Sequence, residues 1–445
     1  MKRILLAAPA MPGPRGDFVL NRSFEDEKKR LLGSRWRVAT PALFLLAAIA
    51  EQEGYEPETA DEAFCSLPEG TYDVISLYTV TPNARRAYAL ADEYRRRGAH
   101  VVIGGVHAKA MPKEAARHAD TLMLGEGELI FRRFLRDFAR GCPEKCYEQP
   151  MGTVNLCASP VPLFSLLSEE ERKLIPVQSS RGCSNRCSFC NVRGLYGDVF
   201  RKKNAEQLER ELQAINGLRG AGRIYITDDN IYSDPAHFHM LADVMRESGF
   251  SWYANTDISF AAERENIREA RRSGLSQVLI GFEGIRRDLL EQVEPSGLKA
   301  RFADRYGEMI QRIQDEGIGV TGSFIVGWPD DPPQVFEQLE EFISRTGLFA
   351  ASITMATPYP GTPLFERMHR SRRLTSYDWN DYTIYQPVIR HDCLSEEELN
   401  KKYCLLLSRL SSPEAVRQKI RKFTEGFKAR DENGRTGTVK KKNES

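Results

Sequence analysis

The chain has 445 residues, more than one ordinary domain holds and enough for two or three. It is 41% hydrophobic and 28% charged, the composition of a globular protein with a sizeable core. A net charge of +1 leaves no whole-protein field to draw in nucleic acid or an anionic membrane, and nine cysteines without a recognisable secretory leader point to a reducing cytoplasm.

In chain order, residues 1–140 alternate short apolar runs with helical patterns. "RILLAAPA" reads as a strand, followed by a loop with Pro and Gly and a helix over 41–53. That helix contains the longest apolar stretch, "ATPALFLLAAIA", which is shorter than the roughly 20 residues a bilayer span needs; no membrane span is expected. "YDVISLYTVT" is a strand, "PNARRAYALADEYRRRG" a helix, and "HVVIGGVHA" a strand ending in Gly104 and Gly105. A short helix "MPKEAARHA", a strand "DTLMLGEGE" and a helix "LIFRRFLRDFARG" complete the region. This alternation predicts a doubly wound, Rossmann-like parallel sheet in an α/β fold, with ligands at the carboxyl ends of the strands. The residues placed there are Tyr78, Thr79, Thr81, Gly104, Gly105, His107, Gly125, Glu126 and Gly127.

Residues 141–172, which open with "GCPEKCYEQPMGTVNLCASPVP", break the alternation and read as a linker. A second alternation begins near residue 173. Its strands are "IPVQSSRG", "RIYITDDN", "FSWYANTDIS", "SQVLIGFEG", "VTGSFIVGWP" and "FAASITMATPYP", with helices near 204–219, 234–248, 261–273, 302–316 and 332–346. Six βα units predict an open, partial (β/α)6 barrel over 173–365, with its chemistry on the C-terminal rim. An α-rich region over 366–430, containing "SYDWNDYTIYQP", would cap the barrel mouth. The polar, Lys-rich residues 431–445 are expected to be disordered.

"RGCSNRCSFCNV" (181–192) sets Cys183, Cys187 and Cys190 in the spacing C-x3-C-x2-C, just after the first barrel strand. A structural zinc site wants four protein ligands, and the next cysteine is Cys393. A disulfide is disfavoured in a reducing compartment, and three is an odd count. A [4Fe–4S] cluster held by three thiolates leaves one iron open to a small chelating molecule. Cys142, Cys146 and Cys157 lack the tight triplet, and Cys65, Cys393 and Cys404 read as packing cysteines. His237 and His239 read as surface residues at a helix start.

The motif "CSNRCSFC" after strand one, with six βα units, resembles the radical SAM superfamily. The resemblance implies that Cys183, Cys187 and Cys190 hold a [4Fe–4S] cluster whose open iron chelates S-adenosylmethionine (SAM), with Phe189 beside it. Asp228, Asp229 and Asn230 of "YITDDN" would hold the SAM amino group, although Asp228 could equally cap the following helix. Asn255 and Asp257 would meet the ribose hydroxyls or the methionine carboxylate. Glu283 of "IGFEG" would point inward, where a carboxylate needs a partner. Gly322 and Gly327 would let the chain lie close beside the adenine.

The first domain resembles the cobalamin-binding domain that precedes many radical SAM barrels. The matching pieces are "TPALFLLAAIAEQEGYEPETADE", "YDVISLYTVTPNARRAYALADEYRRRGAHVVIGGVHA" and "ADTLMLGEGE". The D-x-H-x-x-G signature is absent from the first loop, "APAMPGPRGDF", so cobalt would take no histidine from it. Tyr78 would lie near the cobalt face and His107 near the nucleotide tail, a capping histidine being the other reading. Together the resemblances imply a class B-like radical SAM methyltransferase that methylates an unactivated carbon or phosphorus of a small-molecule or lipid-like substrate. The 5′-deoxyadenosyl radical would abstract hydrogen, methylcobalamin would give the methyl, and a flavodoxin or ferredoxin would donate electrons. Two other readings stand beside it: the same cofactors in a non-methylating reaction (cyclisation, ring contraction, oxidation, transfer of another SAM fragment), and a non-catalytic carrier of cobalamin or cluster.

Overall fold

"RILLAA", strand β1 (Arg3–Ala8), is buried almost throughout, as a central parallel strand covered by helices on both faces must be. In the computed structural model, which describes residues 2–12 and 37–417 together with 419 and 421, it sits inside a six-stranded sheet. Most of the loop "APAMPGPRGDF" and the whole 431–445 tail lie outside the described residues. The other strands are β2 (Glu56–Asp61), β3 (Val74–Tyr78), β4 (His100–Gly104), β5 (Thr121–Leu124) and β6 (Cys146–Glu148). Their order is β2-β1-β3-β4-β5-β6, all parallel, with Ile4 paired to Pro57 on one side and Val74 on the other. The chain reverses its direction of travel across β1, which makes the carboxyl ends of β1 and β3 a switch point.

Two strands here have no counterpart among the elements expected from the sequence. β2 is "EPETAD" and β6 is "CYE", a strand inside the segment that reads as a linker. Both are sheet edges. An edge strand pairs on one side only and tolerates charge, so it lacks the apolar run that marks a central strand. The polarity of β2 is used locally: Glu58 accepts hydrogen bonds from Arg3 and from the Tyr72 hydroxyl.

The second sheet contains β7 (Leu174–Val177), β10 (Arg223–Ile226), β11 (Trp252–Thr256), β12 (Leu275–Glu283), β13 (Gly319–Val326) and β14 (Ala350–Met355). They lie in strict chain order, all parallel, as the six βα units predict for an open barrel. Ile224, Ile226, Ala254, Val278, Ile280 and Val320 share one large core with the outer helices. Alternate residues turn the other way, where Tyr225 stacks on Tyr253 at 4.8 Å and Gln277 bonds Thr321 at 2.6 Å. A short antiparallel pair, β8 (Ser180–Arg181) with β9 (Arg201–Lys202), brackets the cysteine loop.

Beyond the barrel, the helix Glu396–Leu410 begins with a reciprocal Ser395–Glu398 cap and packs Leu399, Tyr403 and Leu406 on the barrel core. The segment before it reaches back to the first domain: Trp379 Nε1 donates to Glu114 at 2.8 Å, and Arg85 pairs with Asp378 at 2.6 Å. Among the described residues, no helix is long and apolar enough to cross a membrane.

Candidate active site

The cysteine loop is rooted in buried polar contacts. Asp228, at the end of β10, accepts from the Ser179 backbone at 2.7 Å, from Ser179 Oγ at 2.5 Å and from Ser180 Oγ. Ser179 Oγ also meets His237 Nε2 at 2.9 Å. Asp228 and His237 are closed off from solvent, and burial holds the His237 pKa below the usual 6.5. This corrects two expectations. Asp228 has both oxygens committed to the loop root and is neither a free SAM contact nor a helix cap; the cap of the following helix is Asp234, which accepts from Ala236 and His237 backbones. His237 is a buried link in that root, whereas His239 is exposed and pairs with Glu269.

Further along, Ser188 donates to Val293 O at 2.8 Å, Leu364 donates back to Ser188 O at 2.9 Å, and Cys190 donates to Cys187 O at 3.1 Å. Phe189 packs edge-on against Trp328 at 5.9 Å, so its ring anchors the loop in the core. Cys183, Cys187 and Cys190 are free thiols, partly screened from solvent, and each lies in the electrostatic field of another. Burial pushes all three upward, Cys190 to about 12, while the Lys299 ammonium pulls Cys187 the other way. Soft metal is the partner that converts such thiols to stable thiolates. Among the described residues, no three His, Cys, Asp or Glu side chains surround one point as a single ion requires. Three thiols on one loop suit a multinuclear cluster, which takes one thiolate per iron.

The strand-end polar residues divide into two groups. Asn255 accepts from Tyr225 OH at 2.9 Å and donates to Asp228 O at 3.0 Å. Asp257 caps the turn Ile258–Ala262 and accepts from Asn230 Nδ2 at 2.6 Å. These groups satisfy one another. Asp229 and Glu283 each keep one oxygen without a hydrogen bond from the described residues. Asp229 Oδ2 accepts from Gly182 N at 3.0 Å, and burial lifts its pKa to about 6. Glu283 sits at φ +63° and pairs with Lys299 at 2.7 Å, both side chains nearly buried. Lys299 is the partner that an inward carboxylate requires. It lies on a separate short helix, so nothing in the "IGFEG" pattern announces it.

The open side of Gly322 faces the core. A Cβ there would stand 2.6 Å from Phe324 Cε2 and 3.0 Å from Leu348 Cδ1, so core packing dictates the glycine. Gly327, at φ +76°, ends β13 in a conformation that favours glycine.

A cleft opens at the carboxyl ends of β3, β4 and β5, against the helices Pro41–Gln52 and Gly127–Ala139. Tyr78, Gly104, Gly105, Gly125, Glu126 and Gly127 line it. Its deep part is apolar, with Leu43, Leu46, Met123 and Phe131. Its polar end carries buried atoms with no hydrogen-bond partner in the described residues: Glu126 Oε1, both carboxylate oxygens of Glu128 and Ser159 Oγ. A corrinoid has an apolar ring system and amide arms that both donate and accept, and this wall suits it. Gly104 and Gly105 are set by close packing behind the wall: a Cβ at Gly105 would lie 2.4 Å from Thr79 O and one at Gly104 3.1 Å from Met123 Cβ.

Three expected contacts lie elsewhere. Thr79 Oγ1 donates to Gly104 O at 2.7 Å and accepts from Ala108 N. Thr81 bonds His107 Nδ1 at 3.2 Å. His107 is fully buried beneath Trp379, at 5.3 Å between rings, and is therefore not exposed to a nucleotide tail. No histidine is among the described residues lining the cleft.

The barrel supplies the other wall of the cleft through Pro176, Gln178, Arg181 and Tyr196. Arg181 Nη1 meets Glu126 at 2.6 Å and Nη2 meets Glu128 at 2.6 Å; Arg201 reaches Glu126 at 2.9 Å. Glu128, Arg181, Arg201, Tyr196 and Lys299 all escape sequence reasoning. The charge doublet in "GEGE" and the arginine just before Cys183 were the available signals.

Comparison with known proteins agrees with this geometry. The radical SAM superfamily profile matches residues 177–343, and the B12 binding domain profile matches 37–135. A bacteriochlorophyllide d C-12(1)-methyltransferase of Chlorobaculum tepidum is 28% identical over 355 residues, which are 78% of this chain and 77% of that protein. An anaerobic magnesium-protoporphyrin IX monomethyl ester cyclase of Rubrivivax gelatinosus is 23% identical, covering 74% of this chain and 63% of its own length. The fold matches that of the radical SAM methyltransferase TsrM from Kitasatospora setae, solved with cobalamin and a [4Fe–4S] cluster, with a TM-score of 0.65 at 16% identity over 91% of this chain and 85% of that one. The cofactors that come with these two domains are the [4Fe–4S] cluster with SAM, and cobalamin. The chain is a radical SAM enzyme that carries a B12-binding domain ahead of its barrel.

Proposed function

We propose that this enzyme transfers a methyl group from SAM, by way of cobalamin, to an unactivated carbon or phosphorus of a small-molecule or lipid-like substrate. The observation that carries the reading is the direct abutment of the two cofactor regions: Arg181, two residues before Cys183, is bonded to two acids beside the cleft wall. In this reading residues 1–140 hold cobalamin, 141–172 connect, 173–365 hold the cluster and SAM, and 366–430 shape substrate choice. When bound, the cluster with SAM supplies a carbon radical and cobalamin carries the methyl group. Cys183, Cys187 and Cys190 hold the cluster. Asp229 and Glu283, with their free oxygens, accept from the SAM amino group. Gly104, Gly105, Gly125 and Gly127 admit the corrinoid, with Tyr78 toward its face. The barrel wall excludes water from the junction. An electron donor of the flavodoxin or ferredoxin class, in a reducing cytoplasm, completes the reaction.

A second reading keeps both cofactors and forms a ring instead; the resemblance to the cyclase supports it. A product assay separates the two. Methyl transfer gives S-adenosylhomocysteine together with 5′-deoxyadenosine, and label from methyl-labelled SAM in the product. 5′-Deoxyadenosine alone, with unlabelled product, overturns the methyl-transfer reading.

A further inference from the structure

Arg181 divides its hydrogen bonds between the two halves of the molecule. Nε donates to Gln178 Oε1 at 2.7 Å on the barrel side and Nη1 donates to Glu126 Oε2 at 2.6 Å, while Nη2 forms an ion pair with Glu128 Oε1 at 2.6 Å in the first domain. All three ionic side chains are at most 10% exposed. A second arginine, Arg201 of β9, holds the same Glu126 carboxylate from the opposite strand of the bracket. The two acids flank Gly127, a wall of the cleft, where a Cβ would lie 2.5 Å from Leu46 Cδ2. On the other side Arg181 leads into Gly182, at φ +98°, whose backbone donates to Asp229; a Cβ there would stand 2.5 Å from Val199 O. Cys183 comes immediately after. Little slack exists between the fork of Arg181 and the first cysteine.

We propose that Arg181 is a positioning residue for the cluster, through which Glu126 and Glu128 of the cobalamin-binding domain set the placement of Cys183 and the SAM-binding iron. A buried guanidinium held by a two-carboxylate fork has one geometry, unlike a lysine in its place. The acids that fix it belong to the cleft wall, so the cluster's surroundings depend on the first domain. The proposal rests on the two-cofactor reading above.

The test uses full-length protein, reconstituted with iron, sulfide and cobalamin without oxygen. Glu128→Gln keeps shape and removes the charge from the fork; Arg181→Lys keeps the charge and removes the fork. Iron per chain is expected to equal wild type in both. The EPR line shape of the reduced cluster is expected to change, and SAM affinity to weaken by roughly ten-fold, the usual size of coupling between sites. Should Glu128→Gln prove insoluble, Arg181→Lys gives the same two readouts. Variants with lower thermal stability but a wild-type EPR spectrum and wild-type SAM affinity would make the fork simple domain glue and overturn the proposal. Wild-type protein that takes up no cluster or no cobalamin would overturn the two-cofactor reading first, and this proposal with it.

Discussion

Lys299→Met removes the cation from a buried ion pair and leaves the Glu283 carboxylate alone in the barrel. The side chains are 5% and 11% exposed, and Nζ stands 2.7 Å from Oε1. At an effective dielectric of about 20, attraction at that distance is about 6 kcal/mol, set against the desolvation of both charges. The net worth of the pair is therefore small. Breaking it from one side is costly, about 3–5 kcal/mol, because a charge stays buried without a partner. Lys299 Nζ also donates to Gly281 O at 2.6 Å, just before the irregular register at Glu283. That bond and the ion pair hold Glu283 at φ +63°, a conformation costing roughly 1–3 kcal/mol for a residue with a side chain. Urea unfolding followed by the fluorescence of Trp252 and Trp328, both buried in the barrel, should show the midpoint falling by about 1–2 M at a slope near 3 kcal/mol per M. The double variant Glu283→Gln with Lys299→Met should recover most of the loss. A single-variant loss below about 1 kcal/mol, or a double variant no better than the single, would refute the reasoning.

Other outcomes are expected from the same geometry. Replacing Cys183, Cys187 and Cys190 together by Ala should abolish iron uptake while cobalamin binding, read from its visible spectrum, persists; iron retained at wild-type level would contradict the assignment. Asp228→Asn should weaken the root of the cysteine loop by roughly 1–3 kcal/mol, because fixed donors then face an amide nitrogen, and should lower iron content on reconstitution. Gly105→Ala forces a side chain to φ +106° and 2.4 Å from Thr79 O, so the first domain should lose at least 1–3 kcal/mol and bind cobalamin more weakly in a spectroscopic titration. Burial pushes the Asp331 carboxyl from 3.8 up to about 6, against the pull of Arg286 and the Trp328 backbone donor, with Asp330 and His391 also facing it. Its folded pKa is raised, so its contribution is complete below pH 3.8 and is lost as pH rises through 6. Relative to Asp331→Asn, wild type should lose roughly 2.4 kcal/mol between pH 4 and 7, measured as the difference between urea midpoints at the two ends.

Periodicity and spacing made the α/β character, the central strands as elements along the chain and the three cysteines readable from sequence. A central parallel strand must be apolar on both faces, and a three-thiolate loop must be local in the chain. Those are constraints a short window can carry. The edge strands "EPETAD" and "CYE" escaped because one unpaired side frees them from the apolar rule. The strand-end acids looked alike in sequence, and the tertiary structure divided them. Asp228 turns into Ser179 and Ser180 and Asp257 into Asn230, whereas Asp229 and Glu283 keep an oxygen for a ligand. Which way a carboxylate faces depends on donors contributed by distant segments. For the same reason His237 is buried against a serine 58 residues away, and the glycine at 322 is required by Phe324 and Leu348 packed beside it. The Arg181 fork spans 55 residues to Glu126 and joins the two sheets. No periodicity within either sheet encodes that contact; it exists because packing the two sheets together buries charges that must then find one another.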